Sequence, residues 1–270
     1  MHKIADLHIH STYSDGRMTP AEIIQIASDR GLSAVSITDH DNIDGLEEAI
    51  LEAKKHNIEL VPGIELSANI MDTEVHILGY YINWQDVGFV DRLNQIKSVR
   101  NQRGLKMVEV LNNQGLNLCF DRVEEIAQGG VVGRPHIARA IVETGAVSTV
   151  DAAFGKYLGD KLPAYIPAST ITGEEAIDLI KSVGGVASLA HPGKLKNVDI
   201  IKTALESGMK AIEVWHPDHS RSNRNFLKKF ASSNSIIPTG GSDAHYSDKR
   251  TGYGVGQVTI SYDFVERLKY

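Results

Sequence analysis

The chain has 270 residues, of which 42% are hydrophobic, and a formal net charge of −6. This composition supplies material for a sizeable core, and the negative charge argues against a broad electrostatic grip on long duplex nucleic acid. No run of roughly 18 apolar residues occurs and no signal-peptide pattern opens the sequence, so we expect a cytoplasmic protein without a membrane span. The single cysteine, Cys119, excludes a disulfide framework within one chain and, among apolar neighbours, is predicted to be buried.

Predicted strands and helices alternate in the first part of the chain. Thr19, Pro20 and Glu22 form the capping pattern of a helix start. The periodicity of the apolar residues predicts the remaining elements up to residue 78. In chain order they are a strand at 3–9, a helix at 20–31, a strand at 34–38, a helix at 43–56, and strands at 58–65 and 75–78.

Residues 85–163 differ in character from the segments on either side. A long helical pattern of apolar residues ends near Gly115, and no strand-type alternation follows it. Shorter helical patterns occupy residues 121–128, 135–144 and 149–158. We therefore expect a small all-helical insertion with its own core, so that residues 1–84 and 164–270 form the first and second parts of one α/β domain.

The alternation of strands and helices resumes after the predicted insertion. Helices are expected at 173–183, 198–207, 220–233 and 262–269, and strands at 186–190, 211–215, 236–240 and 255–260. The order of the elements therefore favours a β/α architecture on both sides of the insertion.

The segment from Asp6 to Gly16 contains the first candidate metal ligands. Side chains two positions apart on a strand share a face, so His8 and His10 can point to one place. Asp15 follows after a polar turn that could direct its carboxylate toward both imidazoles. Two nitrogens and one oxygen suit a transition metal better than calcium or magnesium. Polar residues at a strand end without any metal remain the alternative for this segment alone.

Further ligand-type side chains lie in or directly after the other predicted strands. In a β/α barrel the active site lies at the carboxyl ends of the strands, where several strands contribute to one cavity. Scattered structural histidines would have no reason to choose that end repeatedly, so the pattern predicts a shared metal site. The residues are His8 and His10, His40, Glu65, His76, His191, His216, and Asp243 with His245.

Several of these segments resemble the motifs of the PHP (polymerase and histidinol phosphatase) superfamily. The resemblance covers most of the chain outside the insertion, and its segments are Asp6–Gly16, Thr38–Asp41, Pro62–Glu65, His76, His191–Pro192 and Gly241–His245. It implies an irregular seven-stranded β/α barrel that carries up to three divalent metals. The metal ligands that it implies are His8, His10, Asp15, His40, Glu65, His76, His191, Asp243 and His245.

Six imidazoles and three carboxylates are too many for one ion. We therefore expect two or three divalent ions, with Glu65 and Asp243 as bridges. Mixed nitrogen and oxygen ligands without sulfur suit manganese, iron or zinc. Asp6, Asp39 and Asp41 are candidates for accepting hydrogen bonds from the ligating histidines, with capping or turn roles as the alternative.

Cationic residues of the insertion are candidates for binding a phosphorylated substrate. Arg134 stands at a constrained helix start, and its guanidinium fits phosphate oxygens. The run Gly133–Ala138 resembles the branch of the superfamily that acts on nucleotides and short RNA ends, which makes His136 a second candidate. Arg103 recurs with Lys97, Arg100 and Lys106 at three-residue spacing. These residues could form a cationic edge that faces the site, but the favoured interpretation is a solvated helix face.

His216 and His219 follow a predicted strand end, where either could line the pocket or protonate the leaving group. Together with the resemblance, the residues predict a metal-dependent phosphoesterase in which a metal-bridging hydroxide attacks phosphorus. The expected substrates are nucleoside 3′,5′-bisphosphates, nucleoside monophosphates or short oligonucleotide 5′ ends. Histidinol-phosphate phosphatase is an alternative, and a non-catalytic, metal-stabilised accessory module is another of a different class. The sequence does not define the oligomeric state.

Overall fold

The computed structural model describes residues 3–128, 130–159, 161–166, 171–248 and 251–270. Thr19 begins the first helix as expected, because its side chain accepts the backbone N–H of Glu22 and the Glu22 carboxylate accepts the backbone N–H of Thr19. The elements of the first part are β1 Ile4–Ile9, α1 Pro20–Asp29, β2 Ala34–Ile37, α2 Leu46–His56, β3 Glu59–Leu60, β4 Gly63–Ile70 and β5 Thr73–Tyr80.

Helices alone make up the regular structure described between β5 and residue 159. They are α3 Val87–Asn113, α4 Phe120–Ile126, α5 Arg134–Glu143 and α6 Val150–Ala153, followed by a π-helical turn, Phe154–Leu158. The last part contains α7 Gly173–Ser182, β6 Val186–Leu189, a 3-10 turn Pro192–Lys194, α8 Asp199–Glu206, β7 Ala211–Trp215, α9 Arg221–Ser233, β8 Ile237–Gly240, β9 Ile260–Ser261 and α10 Tyr262–Arg267.

The strands form two mixed sheets. A four-stranded sheet has the order β3-β2-β1-β9, in which β9 alone runs antiparallel to its neighbour. A five-stranded sheet has the order β4-β5-β6-β7-β8, antiparallel from β4 to β6 and parallel from β6 to β8. The α/β class is therefore confirmed. No closed barrel is found in the described part of the chain, so the seven-stranded barrel is not confirmed.

Two isolated bridges bring the sheets together at one end. Ile9, the last residue of β1, pairs with Ala244, and His40 pairs with Glu65 of β4. Since β1, β2, β6, β7 and β8 all end on this side, the polar residues that follow them meet where the sheets join.

The apolar side chains form separate clusters, and the helices between β5 and residue 159 make up most of one of them. The main core lies between the five-stranded sheet and helices α3, α7, α8 and α9. A second cluster extends from Met107 to Ala164 and takes in α4, α5 and α6. Helix α3 contributes Phe89 and Leu93 to the main core and Met107 and Leu111 to the second one. The boundaries at residues 84 and 163 stay a prediction.

Two local predictions are wrong. The strand expected at 255–260 is reduced to Ile260–Ser261, because Gly254 and Gly256 take φ values of 111° and 78°, which an extended strand does not accommodate. Cys119 is exposed, because it is the cap residue of α4, and its neighbour Leu118 enters the core instead.

None of the helices that the structure describes combines the length and the low polarity of a membrane span, so none of them could cross a bilayer.

Candidate metal centre

The carboxylate of Glu65 lies close to three imidazoles. His8 belongs to β1, His10 directly follows β1, and His40 follows β2. The Glu65 Oε2 atom is 3.1 Å from His10 Nε2, 3.1 Å from His40 Nδ1 and 3.4 Å from His8 Nε2. His8 and His10 share one face of the strand, with ring centroids 5.2 Å apart. This is the arrangement that their two-residue spacing predicts.

The second oxygen of Glu65 faces a different pair of histidines. Glu65 Oε1 is 2.9 Å from His76 Nδ1 and 3.3 Å from His191 Nε2. Antiparallel pairing of β4 with β5 places His76 opposite Ser67, two positions from Glu65, and β6 delivers His191 from the other side of β5. One carboxylate thus presents each of its oxygens to a separate histidine group, as a bridging ligand would.

Asp15, Asp243 and His245 complete the group. Asp243 Oδ1 is 3.1 Å from His10 Nε2 and 3.4 Å from His8 Nε2. Asp15 Oδ1 is 3.2 Å from His245 Nε2. The structure therefore brings together all nine ligands that the sequence predicted. We call these nine residues the histidine–carboxylate cluster.

Two cluster residues have strained backbones. His191 and Asp243 adopt φ values of 32° and 50°, in a left-handed region that residues other than glycine seldom enter. Such conformations cost about 1–3 kcal/mol each and persist where surrounding contacts impose them, often at functional sites. His191 lies in the turn after β6, and Asp243 lies in the turn after β8. The strained backbone directs the His191 side chain toward Glu65 and the Asp243 side chain toward His8.

The buried atoms at the centre of the cluster fit divalent cations. His8 Nε2, His10 Nε2, His40 Nδ1 and Glu65 Oε2 are buried and have no hydrogen-bond partner among the described residues. Unpaired buried polar atoms are costly, so four of them directed at one another need a shared partner. A cation supplies it, because each of these atoms offers a lone pair once the imidazoles have released any proton at these nitrogens.

Eight of the nine cluster residues form three compact groups, in each of which the ligand atoms lie within 4.8 Å of one another, and His191 contacts the cluster through Glu65. The groups share His10 and His40, which links them into one centre. They are His10, Asp15, His40 and His245; His8, His10 and Asp243; and His40, Glu65 and His76. Three groups agree with the expected two or three ions, and the number and identity of the ions stay a prediction.

Burial and mutual contact shift the pKa values within the cluster. Burial opposes the charged form of His10, but the carboxylates of Asp243 and Glu65, each with an oxygen 3.1 Å from Nε2, outweigh it and raise its pKa to about 10. Burial is likewise outweighed by Glu65 at His76, whose pKa rises to about 9. At Glu65 burial is outweighed by the histidines around it, which hold the pKa of the carboxyl well below its usual range. The carboxylate is therefore ionised, as metal binding requires.

Glu213 is a functional candidate that the sequence analysis missed. It is fully buried on β7, where its Oε1 atom is 3.0 Å from His8 Nδ1 and its Oε2 accepts the backbone N–H of His191 at 2.7 Å. A carboxylate behind a ligating imidazole fixes the ring and increases its basicity. The available signal was a glutamate inside the otherwise apolar run Ala211–Trp215.

We expect Glu213→Gln to weaken metal binding by about 10- to 100-fold, because the amide cannot replace the charged acceptor behind His8. Manganese titration of the metal-free protein measures the effect. Glu206→Gln, on the exposed face of α8, is the matched control and should bind manganese as the wild type does. Equal affinity for both variants would contradict the role of Glu213.

The three aspartates predicted to support the histidines have other partners. Asp6 accepts backbone N–H groups of His8, Ser242 and Gly256, and burial raises its pKa to about 6. Asp39 accepts hydrogen bonds from Ser11 and Ser14. Hydrogen bonds of this kind stabilise turns and backbone segments. Asp6 and Asp39 thus have the role that was the alternative to supporting the ligating histidine rings.

Asp41 pairs with Arg100 and accepts the backbone N–H of Ser67. Arg100 also donates to Ser67 Oγ at 2.8 Å. Arg100 and Arg103 are both buried where α3 crosses between the two cores, so the favoured interpretation of a solvated helix face is wrong for this pair.

A cavity of about 140 Å³ lies beside the cluster and is bounded on one side by arginines. Arg103 Nη2 is buried without a hydrogen-bond partner among the described residues, although Arg103 Nε donates to the Ile166 carbonyl. The Arg134 guanidinium lies over the rings of Phe154 and Tyr165. Side chains lining the cavity include Ser14, Asp15, His40, Ser67, His76, Arg100, Arg103, Arg134 and His136.

Backbone groups occupy both ring nitrogens of His136 and of His219. His136 Nδ1 accepts the Gly133 N–H and its Nε2 donates to the Ser14 carbonyl. His219 Nδ1 donates to the Val214 carbonyl and its Nε2 accepts the Gly193 N–H. This geometry favours positioning roles for both residues over the substrate contact and the proton transfer expected from the sequence.

His216 retains a contact with the cluster. Its Nδ1 atom accepts the backbone N–H of Asp218, so the proton is on Nε2, which donates to Asp243 Oδ2 at 3.1 Å. His216 is buried and fixes the orientation of the Asp243 carboxylate in this structure. A proton-donating role for His216 stays a prediction.

Comparison with known proteins agrees with this geometry. Residues 6–157 match the model of the PHP domain. The chain is 34% identical over 251 residues to the 5′-3′ exoribonuclease Rnm of Escherichia coli, covering 90% of this chain and 85% of that protein. It is 32% identical over 249 residues to the 3′,5′-nucleoside bisphosphate phosphatase of Chromobacterium violaceum, covering 89% and 86%.

A crystal structure of a protein from Bifidobacterium adolescentis, described as a metal-dependent phosphoesterase, has the same fold. It superimposes with a TM-score of 0.90 at 30% sequence identity, over 98% of this chain and 94% of that one. The chain thus belongs to the PHP domain family.

Proposed function

We propose that this protein is a metal-dependent phosphoesterase that hydrolyses phosphate esters of nucleotides. The observation that carries the proposal is the convergence of four unpaired buried ligand atoms beside a cavity bounded by arginines. The first feature needs cations. In the cavity Arg100 pairs with Asp41 and Arg134 lies near Glu74, whereas Arg103 Nη2 has no partner among the described residues and suits an anion. A phosphate ester held between them satisfies both requirements.

Manganese, iron or zinc would be held by the nine residues of the histidine–carboxylate cluster, in two or three positions. Ions at these positions would supply an activated water and would stabilise the charge that develops in phosphoryl transfer. Glu65 presents its two oxygens to different histidine groups, which supports its assignment as a bridge. Asp243 faces His8 and His10 through Oδ1, while its Oδ2 accepts a hydrogen bond from His216. Glu213 of β7 accepts hydrogen bonds from the His191 backbone, in the loop after β6, and from the His8 ring of β1, and so links these two segments.

The arginines support a substrate with a second phosphate. Arg103 Nη2 is buried, has no partner in the part of the chain that the structure describes, and is a donor suited to an anionic oxygen. Arg134 lines the same cavity and a neighbouring one of about 450 Å³, which also contacts His76 and His191. We infer that the reacting phosphate lies at the cluster and a non-reacting phosphate at Arg103 and Arg134. Nucleoside 3′,5′-bisphosphates and the 5′ ends of short oligonucleotides carry the two phosphate groups that this arrangement requires.

Arg103 Nη2, a buried cationic donor without a partner among the described residues, disfavours the alternative substrate, histidinol phosphate, because an ammonium group beside it would be repelled. The accessory-module alternative is disfavoured because the two relatives named above, 86% and 85% of whose length this chain covers, are named as enzymes.

We expect the purified protein to bind more than one equivalent of transition metal and to lose hydrolysis when the metal is removed with a chelator. Elemental analysis and a phosphate-release screen with added manganese measure both properties. The screen should contain adenosine 3′,5′-bisphosphate, AMP, histidinol phosphate and a short 5′-phosphorylated RNA. At most one equivalent of metal after repletion would contradict the multinuclear centre, and turnover of histidinol phosphate alone would contradict the nucleotide assignment.

A further inference from the structure

Helix α5 contacts the segment that carries the cluster residue Asp15. His136 Nε2 donates to the Ser14 carbonyl at 3.0 Å, and Arg139 Nη2 donates to the Asp15 carbonyl at 2.6 Å. Residues 136 and 139 are three positions apart and so lie on the same face of the helix. Two consecutive carbonyls of residues 11–16 therefore receive donors from one helix face.

The donor on His136 is fixed by the start of the helix. Because Nδ1 accepts the Gly133 N–H at 3.0 Å, the proton of the neutral ring is on Nε2, which is the nitrogen that faces Ser14. His136 is only 1% exposed, so water does not compete for this hydrogen bond. The ring thus joins the first turn of α5 directly to the segment that carries Asp15.

The remaining side chains of α5 hold the helix in place. Ile137, Ala138 and Ile141 are buried in the apolar cluster that includes α3 and α4. Arg134, the first residue of the helix, lines the cavity beside the histidine–carboxylate cluster. Helix α5 therefore contacts the cavity at its N-terminus and the Asp15 segment along one face.

We propose that His136 and Arg139 are positioning residues that hold Asp15 in place and thereby set the affinity of the metal group formed by His10, Asp15, His40 and His245. Helix α5 would then support the metal centre through its hydrogen bonds to residues 14 and 15. The other two ligand groups do not contain Asp15, so they depend on α5 less. Loss of either donor affects one group selectively.

The effect on metal binding should be that of removing a group behind a metal ligand, about 10- to 100-fold in affinity. His136→Ala and Arg139→Ala should each lose about one equivalent of manganese at limiting metal, and excess manganese should restore turnover. His136→Gln should retain more metal than His136→Ala, because its amide can donate to Ser14. Arg134→Ala should keep its full metal content, because Arg134 has no contact with the Asp15 carbonyl.

Arg122→Ala is the matched control. Arg122 is exposed on α4 and pairs with Glu125 and Glu143, so its loss breaks contacts within the same helical region without reaching Asp15. Hydrogen–deuterium exchange of the metal-free proteins adds a measurement that needs neither metal nor turnover. Exchange in residues 11–16 should increase in His136→Ala and Arg139→Ala and stay unchanged in Arg122→Ala.

Wild-type metal affinity and wild-type exchange of residues 11–16 in Arg139→Ala and in a folded His136 variant would overturn the proposal. Should His136→Ala fail to fold, His136→Gln and Arg139→Ala decide the outcome. Since the exchange measurement concerns the metal-free chain, it can succeed or fail independently of the proposed phosphoesterase activity.

Discussion

Glu65→Gln is expected to reduce phosphate-ester hydrolysis by about 10³-fold. The substitution keeps the shape of the side chain and removes the charge that faces five histidines, two through Oε1 and three through Oε2. A bridging carboxylate holds the ions whose stabilisation of the transition state is worth several kcal/mol, and about 4 kcal/mol corresponds to 10³-fold in rate.

Phosphate release and metal content of the Glu65→Gln variant should fall together. Glu52→Gln is the control, because Glu52 lies on the surface of α2 and pairs with Lys55 and His56 away from the cluster. Circular dichroism and the thermal midpoint establish that both variants fold. A folded Glu65→Gln protein with wild-type turnover would contradict the central position of this carboxylate.

The second large effect concerns substrate choice. Arg134→Ala should lower kcat/KM for a nucleoside 3′,5′-bisphosphate by about 10- to 100-fold, because a charge-assisted hydrogen bond to phosphate contributes about 1.5–3 kcal/mol. For a phosphate monoester with a neutral tail the loss should stay below about threefold, since that substrate has nothing for the arginine to bind.

The ratio of the two kcat/KM values, measured for the wild type, Arg134→Ala and Arg122→Ala, tests this assignment. Arg122→Ala controls for loss of a cation from the same helical region, and its ratio should equal that of the wild type. An equal loss for both substrates in Arg134→Ala would mean that the arginine supports the structure of the cavity and does not recognise a second phosphate.

The cationic residues of α3 illustrate how burial decides whether a charged side chain is solvated or lies in the protein interior. The sequence shows Lys97, Arg100, Arg103 and Lys106 at equal spacing, with no sign of which are solvated. In the structure α3 crosses from one core to the other, and its central arginines are covered on both sides. Equal spacing on a helix therefore conceals two environments, and only the packing partners of α3 separate them.

The roles of histidines differ for a similar reason. From the sequence, His136 is a candidate for substrate binding and His219 a candidate for lining the pocket or protonating the leaving group. Folding gives both ring nitrogens of His136 and His219 backbone partners, whereas His10 keeps an unpaired Nε2 atom in the cluster. Contacts with distant backbone groups are not encoded in the local pattern.

The sequence by itself determined the α/β class and the order of nearly all elements, and its resemblance to the PHP motifs selected the nine residues that the structure brings together. It could do so because strand ends and short motifs are local features, and because the ends of parallel strands meet on one side of a sheet. It also determined the family, through motifs such as Asp6–Gly16 and Gly241–His245.

Only the tertiary structure decided how the sheets are divided, which side chains lie behind the ligands and how the helical region contacts them. Glu213 is 205 positions from His8, and His136 is 122 positions from Ser14. Contacts over such distances depend on how β7 and α5 pack against the rest of the chain, because packing and not local preference brings these backbone segments together.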